Sequence, residues 1–286
     1  MEGGMTRIGF SVEEAVKARS SVRNYADREI EPDKLEKIRR FVEALDNPFH
    51  QEVSFHWLMP EALPAGQKLG TYGVIKGAKR FIGASVRPGP LAMEALGYEM
   101  ETLILYLAHL GLGSCWLGGT FNRKGFAKAM EIGEDHLFPA ITPFGYGAPK
   151  RHVTEKLMRS MIQADRRSPW ETLFFRDDFS SPLSREAAGD LAFPLEMLRL
   201  GPSASNKQPW RVLLRDNALH FYEDKAPGYS DAFAFDIQRI DMGIAAAHAD
   251  LALRERGISG RFDPDVRPDV RLPERLVYAF SWLREV

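Results

Sequence analysis

Gly201-Pro-Ser-Ala-Ser-Asn-Lys-Gln-Pro-Trp210 is the stretch on which the reading of this chain turns. It follows an apolar helical run (Leu191, Leu195, Leu198) and precedes an apparent strand, Arg211–Leu214. Two prolines, a glycine and small polar residues end the helix and set an exposed, hydrogen-bonding turn. Asn206 and Gln208 each carry a side-chain carbonyl and an NH2 group, a donor and acceptor set able to grip a planar, multifunctional ligand. The plainer alternative is a structural helix-to-strand connection, although loops on rigid scaffolds are where function concentrates.

Outward from that loop, 286 residues suit two domains of about 140 each. A hydrophobic content of 44% with 27% charged residues is that of an ordinary globular protein. The formal net charge is −1, and Arg39-Arg40 and Arg166-Arg167 are only pairs, so nothing points to a nucleic acid or other polyanion partner. Cys115 is the only cysteine, which excludes an intrachain disulfide and a multi-cysteine metal site and suits a reducing compartment. Met1-Glu-Gly-Gly-Met-Thr-Arg7 lacks the apolar core of a signal peptide. The most apolar segment, Leu91–Leu112, contains Glu94, Glu99, Glu101 and His109 and reads as a buried helix, not a membrane span. The expected setting is the cytoplasm.

Along the chain, Ser11-Val-Glu-Glu14 has the form of a capping box. Glu31-Pro32-Asp33 opens a helix carrying Leu35, Ile38, Phe41, Val42 and Leu45, stopped at Asn47-Pro48. Val53–Met59, Thr71–Ile75 and Arg80–Val86 are strand candidates. Leu91–Leu110 is the strongest helix, followed by Gly111-Leu-Gly-Ser-Cys-Trp-Leu-Gly-Gly119, a glycine cap running into an extended segment. Phe126–Met130 reads as a short helix, Leu137–Tyr146 as a strand, and Lys150–Pro169 as a polar, basic stretch. From about Ser180 the order begins again: helix Arg185–Leu200, the opening loop, strands Trp210–Leu214 and Ala218–Glu223, and a long helix Asp241–Arg256 capped by Gly257. Ser259–Phe262 and a strand Leu276–Trp282 close the chain. Placing Gly111 over Gly257 aligns the two long helices and the strands after them, the mark of a duplicated domain, not of a short-period solenoid.

The chemistry-bearing pieces are few. Arg19-Ser-Ser-Val-Arg23 puts two cations and two hydroxyls beside a helix end, a set that binds phosphate well or makes a solvated turn. Gly118 and Gly119 let a flat ring lie against backbone N–H groups, or simply continue a buried strand. Cys115 lies in an apolar run with no cation or histidine beside it and reads as buried and inert. His109 and His248 read as core or surface residues, and the histidines show no metal-ligand spacing. There is no P-loop, no G-x-G-x-x-G between strand and helix, and no Ser-His-Asp arrangement.

Taken together, these segments resemble the nitroreductase family of FMN-dependent NAD(P)H oxidoreductases. Arg19-Ser-Ser-Val-Arg23 resembles its N-terminal R-x-S-x-R phosphate motif, and Pro202–Trp210 its P-S-x-x-N-x-Q-P-W loop. Gly111–Gly119 is similar to the segment along the flavin ring, while Phe144-Gly-Tyr-Gly-Ala-Pro149 and Arg166-Arg-Ser-Pro-Trp170 resemble the closing strand and basic tail. The departure is in order: the asparagine loop normally follows the phosphate motif soon, yet Ala44-Leu-Asp-Asn-Pro-Phe-His-Gln51 lacks it and the loop stands in the second half. Family members are usually homodimers with FMN at the subunit interface, one subunit giving the phosphate motif, glycine segment and tail and the other the asparagine loop.

The resemblance therefore implies an α+β, nitroreductase-like fold of mixed sheets flanked by helices, built as a tandem pseudo-dimer in one chain. Residues 1–175 would form the half with phosphate and glycine-segment contacts, and residues 176–286 a degenerate half lending the loop. One FMN would be bound per chain, with the protein acting as a monomer. Arg19, Ser21, Arg23 and Arg167 would hold the phosphate, with Ser20 beside them through its backbone. Pro202, Ser203, Ala204 and Asn206 would cover the ring and its polar edge, and Gly118 and Gly119 would present N–H groups near the reactive nitrogen. The implied reaction is ping-pong, with NAD(P)H as donor and an electron-poor acceptor such as a nitroaromatic or quinone. No catalytic side chain and no metal is implied, because FMN carries the hydride chemistry. An FMN-binding or flavin-sensing protein with little turnover is the alternative.

Overall fold

Residues 9–59, 69–149, 166–231 and 233–285 are described in the computed structural model. They divide into two units, Met1–Ala92 with Glu99–Ala164, and Met93–Tyr98 with Asp165–Val286.

The first unit begins with helix α1 (Val12–Ala18), whose first turn is closed by Ser11 Oγ accepting from the Glu14 N–H at 3.3 Å. Helix α2 (Pro32–Glu43) starts on Pro32, where a missing N–H costs nothing. Strands β1 (Val53–Leu58), β2 (Phe81–Val86), β3 (Gly113–Ser114) and β4 (Leu137–Gly145) form an antiparallel sheet in the order β1-β2-β4-β3. Every residue of β2 is buried, as expected of a central strand read as one apolar run. Helix α3 (Ala92–His109) ends where Gly111 takes φ +74°, and helix α4 (Arg123–Ala129) is capped by Asn122 Oδ1 on the Gly125 N–H. Ile38 of α2, Leu103 and Leu107 of α3, and Ile82 and Phe144 of the sheet share one apolar core.

In the second unit, strands β5 (Phe174–Arg176) and β6 (Asp178–Pro182) precede helices α5 (Arg185–Ala188) and α6 (Ala192–Arg199). Strands β7 (Trp210–Arg215) and β8 (Ala218–Asp224) form a tight hairpin through Asp216 and Asn217, both at positive φ, the backbone a two-residue primed turn requires. Helix α7 (Gln238–Glu255) follows, then β9 (Gly260–Asp263) and β10 (Leu276–Arg284). The sheet order is β6-β5-β7-β8-β10-β9, with only β5 and β7 parallel. Omitting β6 and β5, it repeats the first unit's order strand for strand. α7, like α3, has 18 residues, and Gly257 at φ +68° ends it as Gly111 ends α3.

Within the second unit the start of α3 crosses α7 at two glycines. A Cβ on Gly97 would collide with the Ile240 carbonyl, and one on Gly243 with the Glu94 carbonyl. The same displacement along the sequence separates Glu94 from Ile240, Gly97 from Gly243 and Gly111 from Gly257. The crossing is reciprocal, as in an isologous contact.

Three expectations need correction. Thr71–Ile75 is a turn, not a strand: Tyr72 and Gly73 have positive φ, and the Val74 N–H donates back to the Thr71 carbonyl. Arg185–Leu200 is not one helix, because Gly189, at φ +57° and ψ −126°, breaks it into α5, a short 3-10 turn and α6. Strands β5 and β6 were not foreseen from the sequence. Of the basic stretch Lys150–Pro169, residues 150–165 lie outside the described residues. Among the described residues no helix is long and apolar enough to cross a membrane.

Candidate functional site

In the first unit, the phosphate-type motif and the glycine segment lie side by side. The chain leaves α1 at Arg19 in extended conformation. Ser21 then bridges Ser114 in parallel, and the Val22 N–H donates to the Ser114 carbonyl at 2.8 Å. Gly113 permits this approach, since a Cβ there would strike the Val22 side chain. Further on, the Lys76 N–H donates to the Arg23 carbonyl and the Ala148 N–H to the Asn24 carbonyl. Arg19, Ser20 and Ser21 are half-buried and Arg23 is buried. Nε and Nη1 of Arg23 are shielded from solvent and have no hydrogen-bond partner among the described residues. A buried, unsatisfied guanidinium is costly and calls for an anion. The residues present therefore fit a phosphate group.

The glycine segment is pinned along its length. The Cys115 N–H donates to Thr142 Oγ1, and Leu117 exchanges two backbone hydrogen bonds with Ile141 of β4. Trp116 Nε1 donates to Glu101 Oε2 at 2.7 Å. Cys115 itself is 3% exposed within an apolar cluster with Phe81, Phe126 and Phe138. Gly118 is half-buried and Gly119 exposed. Arg123, the first residue of α4, donates from Nη2 to the carbonyls of Gly118 (2.5 Å) and Pro139 (3.1 Å), and from Nε to that of Phe138 (2.9 Å). Partial burial lowers its pKa, opposed by the nearby Tyr72.

A buried acid lies on α3 of the same unit. Burial raises Glu99 to about 8, against the Asn47 side-chain hydrogen bond that favours its charged form. Asn47 Nδ2 donates to Glu99 Oε1 at 2.6 Å and to the Gln51 carbonyl at 2.7 Å, while its Oδ1 accepts from the Phe49 and Gln51 N–H groups.

The second unit holds the opening loop. Ser205, Asn206 and Gln208 all have positive φ, near +50°. Asn accepts that conformation readily, whereas serine and glutamine pay about 1 kcal/mol or more each. The loop is held in it by several bonds. Ser203 Oγ accepts from the Gln208 N–H (2.8 Å), Asp241 Oδ1 of α7 from the Ala204 N–H (2.9 Å), and Ser205 Oγ from the Tyr229 hydroxyl (2.9 Å). Pro202, Ser203, Ala204 and Asn206 are half-buried. Strain fixed this firmly is characteristic of ligand clamps.

The loop also grips the basic segment before it. The Arg166 carbonyl accepts from Asn206 Nδ2 (2.9 Å) and Gln208 Nε2 (3.4 Å), and Gln208 Oε1 accepts from the Ser168 N–H (2.8 Å). Gln208, read from the sequence as a possible ligand grip, is 4% exposed and serves as internal bracing. Arg167 donates to the Leu200 carbonyl from Nε and Nη2 and to Asn206 Oδ1 from Nη1 at 3.3 Å, so it and Asn206 are brought together. Also in this unit, Glu94 and Glu223 share Arg239, and burial raises Glu223 to about 7.

Arg123, Asp241 and Tyr229 were missed by the sequence reading. Asp241 and Tyr229 act through contacts to the distant loop at 203–205, and Arg123 through carbonyls of Gly118 and of β4, and no spacing marks any of them.

A crystal structure described as a "putative nitroreductase" from Thermotoga maritima MSB8 is similar over 99% of this chain and 98% of its own. Its TM-score is 0.62 at 18% identity, a likeness of fold. A nitroreductase with bound FMN from Bacteroides fragilis NCTC 9343 is similar over 50% of this chain and 91% of its own (TM-score 0.40, 21% identity). An FMN-dependent nitroreductase from Clostridium difficile R20291 covers 49% of this chain and 89% of its own (TM-score 0.40, 21% identity). No curated protein matches the sequence. Residues 11–253, spanning the phosphate-type motif, the glycine segment and the strained loop, match the family described as "Putative TM nitroreductase", and the chain belongs to that family.

Proposed function

We propose that the protein is an FMN-dependent oxidoreductase that takes hydride from NAD(P)H and passes electrons to an electron-poor acceptor such as a nitroaromatic or a quinone. The observation that carries this reading is Arg23, buried with two guanidinium nitrogens that have no partner among the described residues. A phosphate oxygen is the ligand that relieves that cost, and Arg19, Ser20 and Ser21 stand beside it in sequence to complete the cradle. FMN, when bound, supplies the ring that accepts and donates the electrons.

The chain's part is placement. Gly118 and Gly119 offer backbone to the ring, and Pro202, Ser203, Ala204 and Asn206 cover it with a rigid, strained loop. Arg167 acts by bracing Asn206 as well as by its charge. One FMN is bound per chain, in a monomer working as a tandem pseudo-dimer. Supporting this are the repeated strand order, the reciprocal glycine crossing, and the presence of the phosphate motif in one unit and the loop in the other. The single, buried cysteine suits the cytoplasm.

Flavin released by denaturing the purified protein should amount to one FMN per chain. Two would overturn the single site, and none the cofactor. Anaerobic addition of NADH or NADPH should bleach the flavin absorbance; bound flavin that stays oxidised would favour the sensing role. Arg23→Ala should weaken FMN binding by about 10- to 100-fold, from a charge-assisted bond of ~1.5–3 kcal/mol. Riboflavin, lacking the phosphate, should bind the variant and the parent alike; equal losses for both ligands would count against a phosphate at Arg23.

A further inference from the structure

We infer that Arg123 is a positioning residue that aims the Gly119 N–H at the reactive ring of the flavin, by holding the carbonyl on the other side of the same peptide. This rests on the flavin reading above. The guanidinium is anchored on three carbonyls, those of Gly118, Phe138 and Pro139. Two of these belong to β4, whose Ile141 is paired with Leu117, so the anchor is tied to the sheet and not to a surface tail.

In a trans peptide the carbonyl of residue 118 and the N–H of residue 119 point in opposite directions. Fixing the Gly118 oxygen against Arg123 therefore turns the Gly119 N–H away from Arg123 and holds it there. Consecutive glycines have no side chains to lock that plane, so an outside anchor is needed. Gly119 is exposed, and its N–H donates to no backbone carbonyl among the described residues. A cation hydrogen-bonded to the carbonyl also polarises the amide and makes its N–H a stronger donor. Such a donor favours the electron-rich reduced ring over the oxidised one. Arg123 thus sets the relative affinity for the two forms without touching either.

The test compares full-length protein with Arg123→Gln, Arg123→Lys and Gly119→Pro, measuring dissociation constants for oxidised and for dithionite-reduced FMN. Arg123→Gln should lower the preference for reduced over oxidised FMN about tenfold, equivalent to about 30 mV in a two-electron potential. Arg123→Lys, still able to hold one carbonyl, should recover part of it. Gly119→Pro deletes the donor itself and should lose as much, with no further loss on adding Arg123→Gln. A purely structural Arg123 would weaken both forms together; an unchanged ratio in Arg123→Gln and in Gly119→Pro overturns the inference while the flavin reading stands. Parent protein that binds neither form overturns that reading first. Should Arg123→Gln not fold, Gly119→Pro and Arg123→Lys decide the matter.

Discussion

The two units run the same four strands in the same order around a long helix of the same length, and they differ in what is hung on that frame. Between its first two strands the first unit carries residues 59–80, where the second makes do with Asp216 and Asn217. The first unit places α4 and Arg123 between β3 and β4. The second adds β5 and β6 at the sheet's edge and strains the loop between α6 and β7. The matching elements form the repeated frame, while α4 and β5 add to the core through the fully buried Phe126 and Phe174. The strained loop between α6 and β7 is a connection, where chemistry can change at little cost to packing.

The comparison is most exposed at the glycine crossing. Gly243→Val should cost about 4–5 kcal/mol or abolish folding, because its side chain meets a backbone carbonyl that cannot swing aside. Gly97→Val should cost about as much. Denaturant titration of both checks this, and a large inequality between them would break the reciprocity.

A smaller effect separates the buried acids. Glu99, raised to about 8 chiefly by burial, faces the neutral Asn47, whereas Glu223, raised to about 7, has Arg239. The folded protein keeps the Glu99 proton up to about pH 8, while the unfolded chain releases it near 4.5. The folded state thus binds more protons between those values, and stability falls as pH rises through that window. Glu99→Gln should remove the Glu99 share of this dependence and melt higher than the parent at pH 8.5. An unchanged pH profile of Tm would show the carboxyl to be ionised throughout. The smallest effect is expected in the loop: Ser203→Ala removes the acceptor for the Gln208 N–H and should cost about 1 kcal/mol. It should also loosen the positive-φ run, read as faster amide exchange at Asn206 and Gln208 than at any position of the first unit's Asn47 turn.

What could be read in advance followed local rules. Ser11 before two glutamates, Pro32 at a helix start, and Gly111 and Gly257 after apolar helical runs each act within a few residues, and each stands where those rules put it. Strands β5 and β6 escaped because β5 is made by parallel pairing with β7, a distant segment, and not by any pattern of its own. Thr71–Ile75 looked like a strand from its β-branched and aromatic residues, but Gly73 turns the chain there. In the candidate site, the charged and hydroxylic residues of Arg19–Arg23 are visible in the sequence as a phosphate-type motif. The isolation of Arg23's buried nitrogens among the described residues, the Arg123 clamp and the inward use of Gln208 are not, since all three depend on where remote carbonyls lie.

The lone cysteine, packed among aromatic rings behind β4, leaves the chain without an accessible thiol among its described residues. A cysteine introduced at Ser205 or at Gly119 would be the sole handle for a fluorophore or spin label, so each half of the frame can be reported on by its own probe in otherwise unaltered protein.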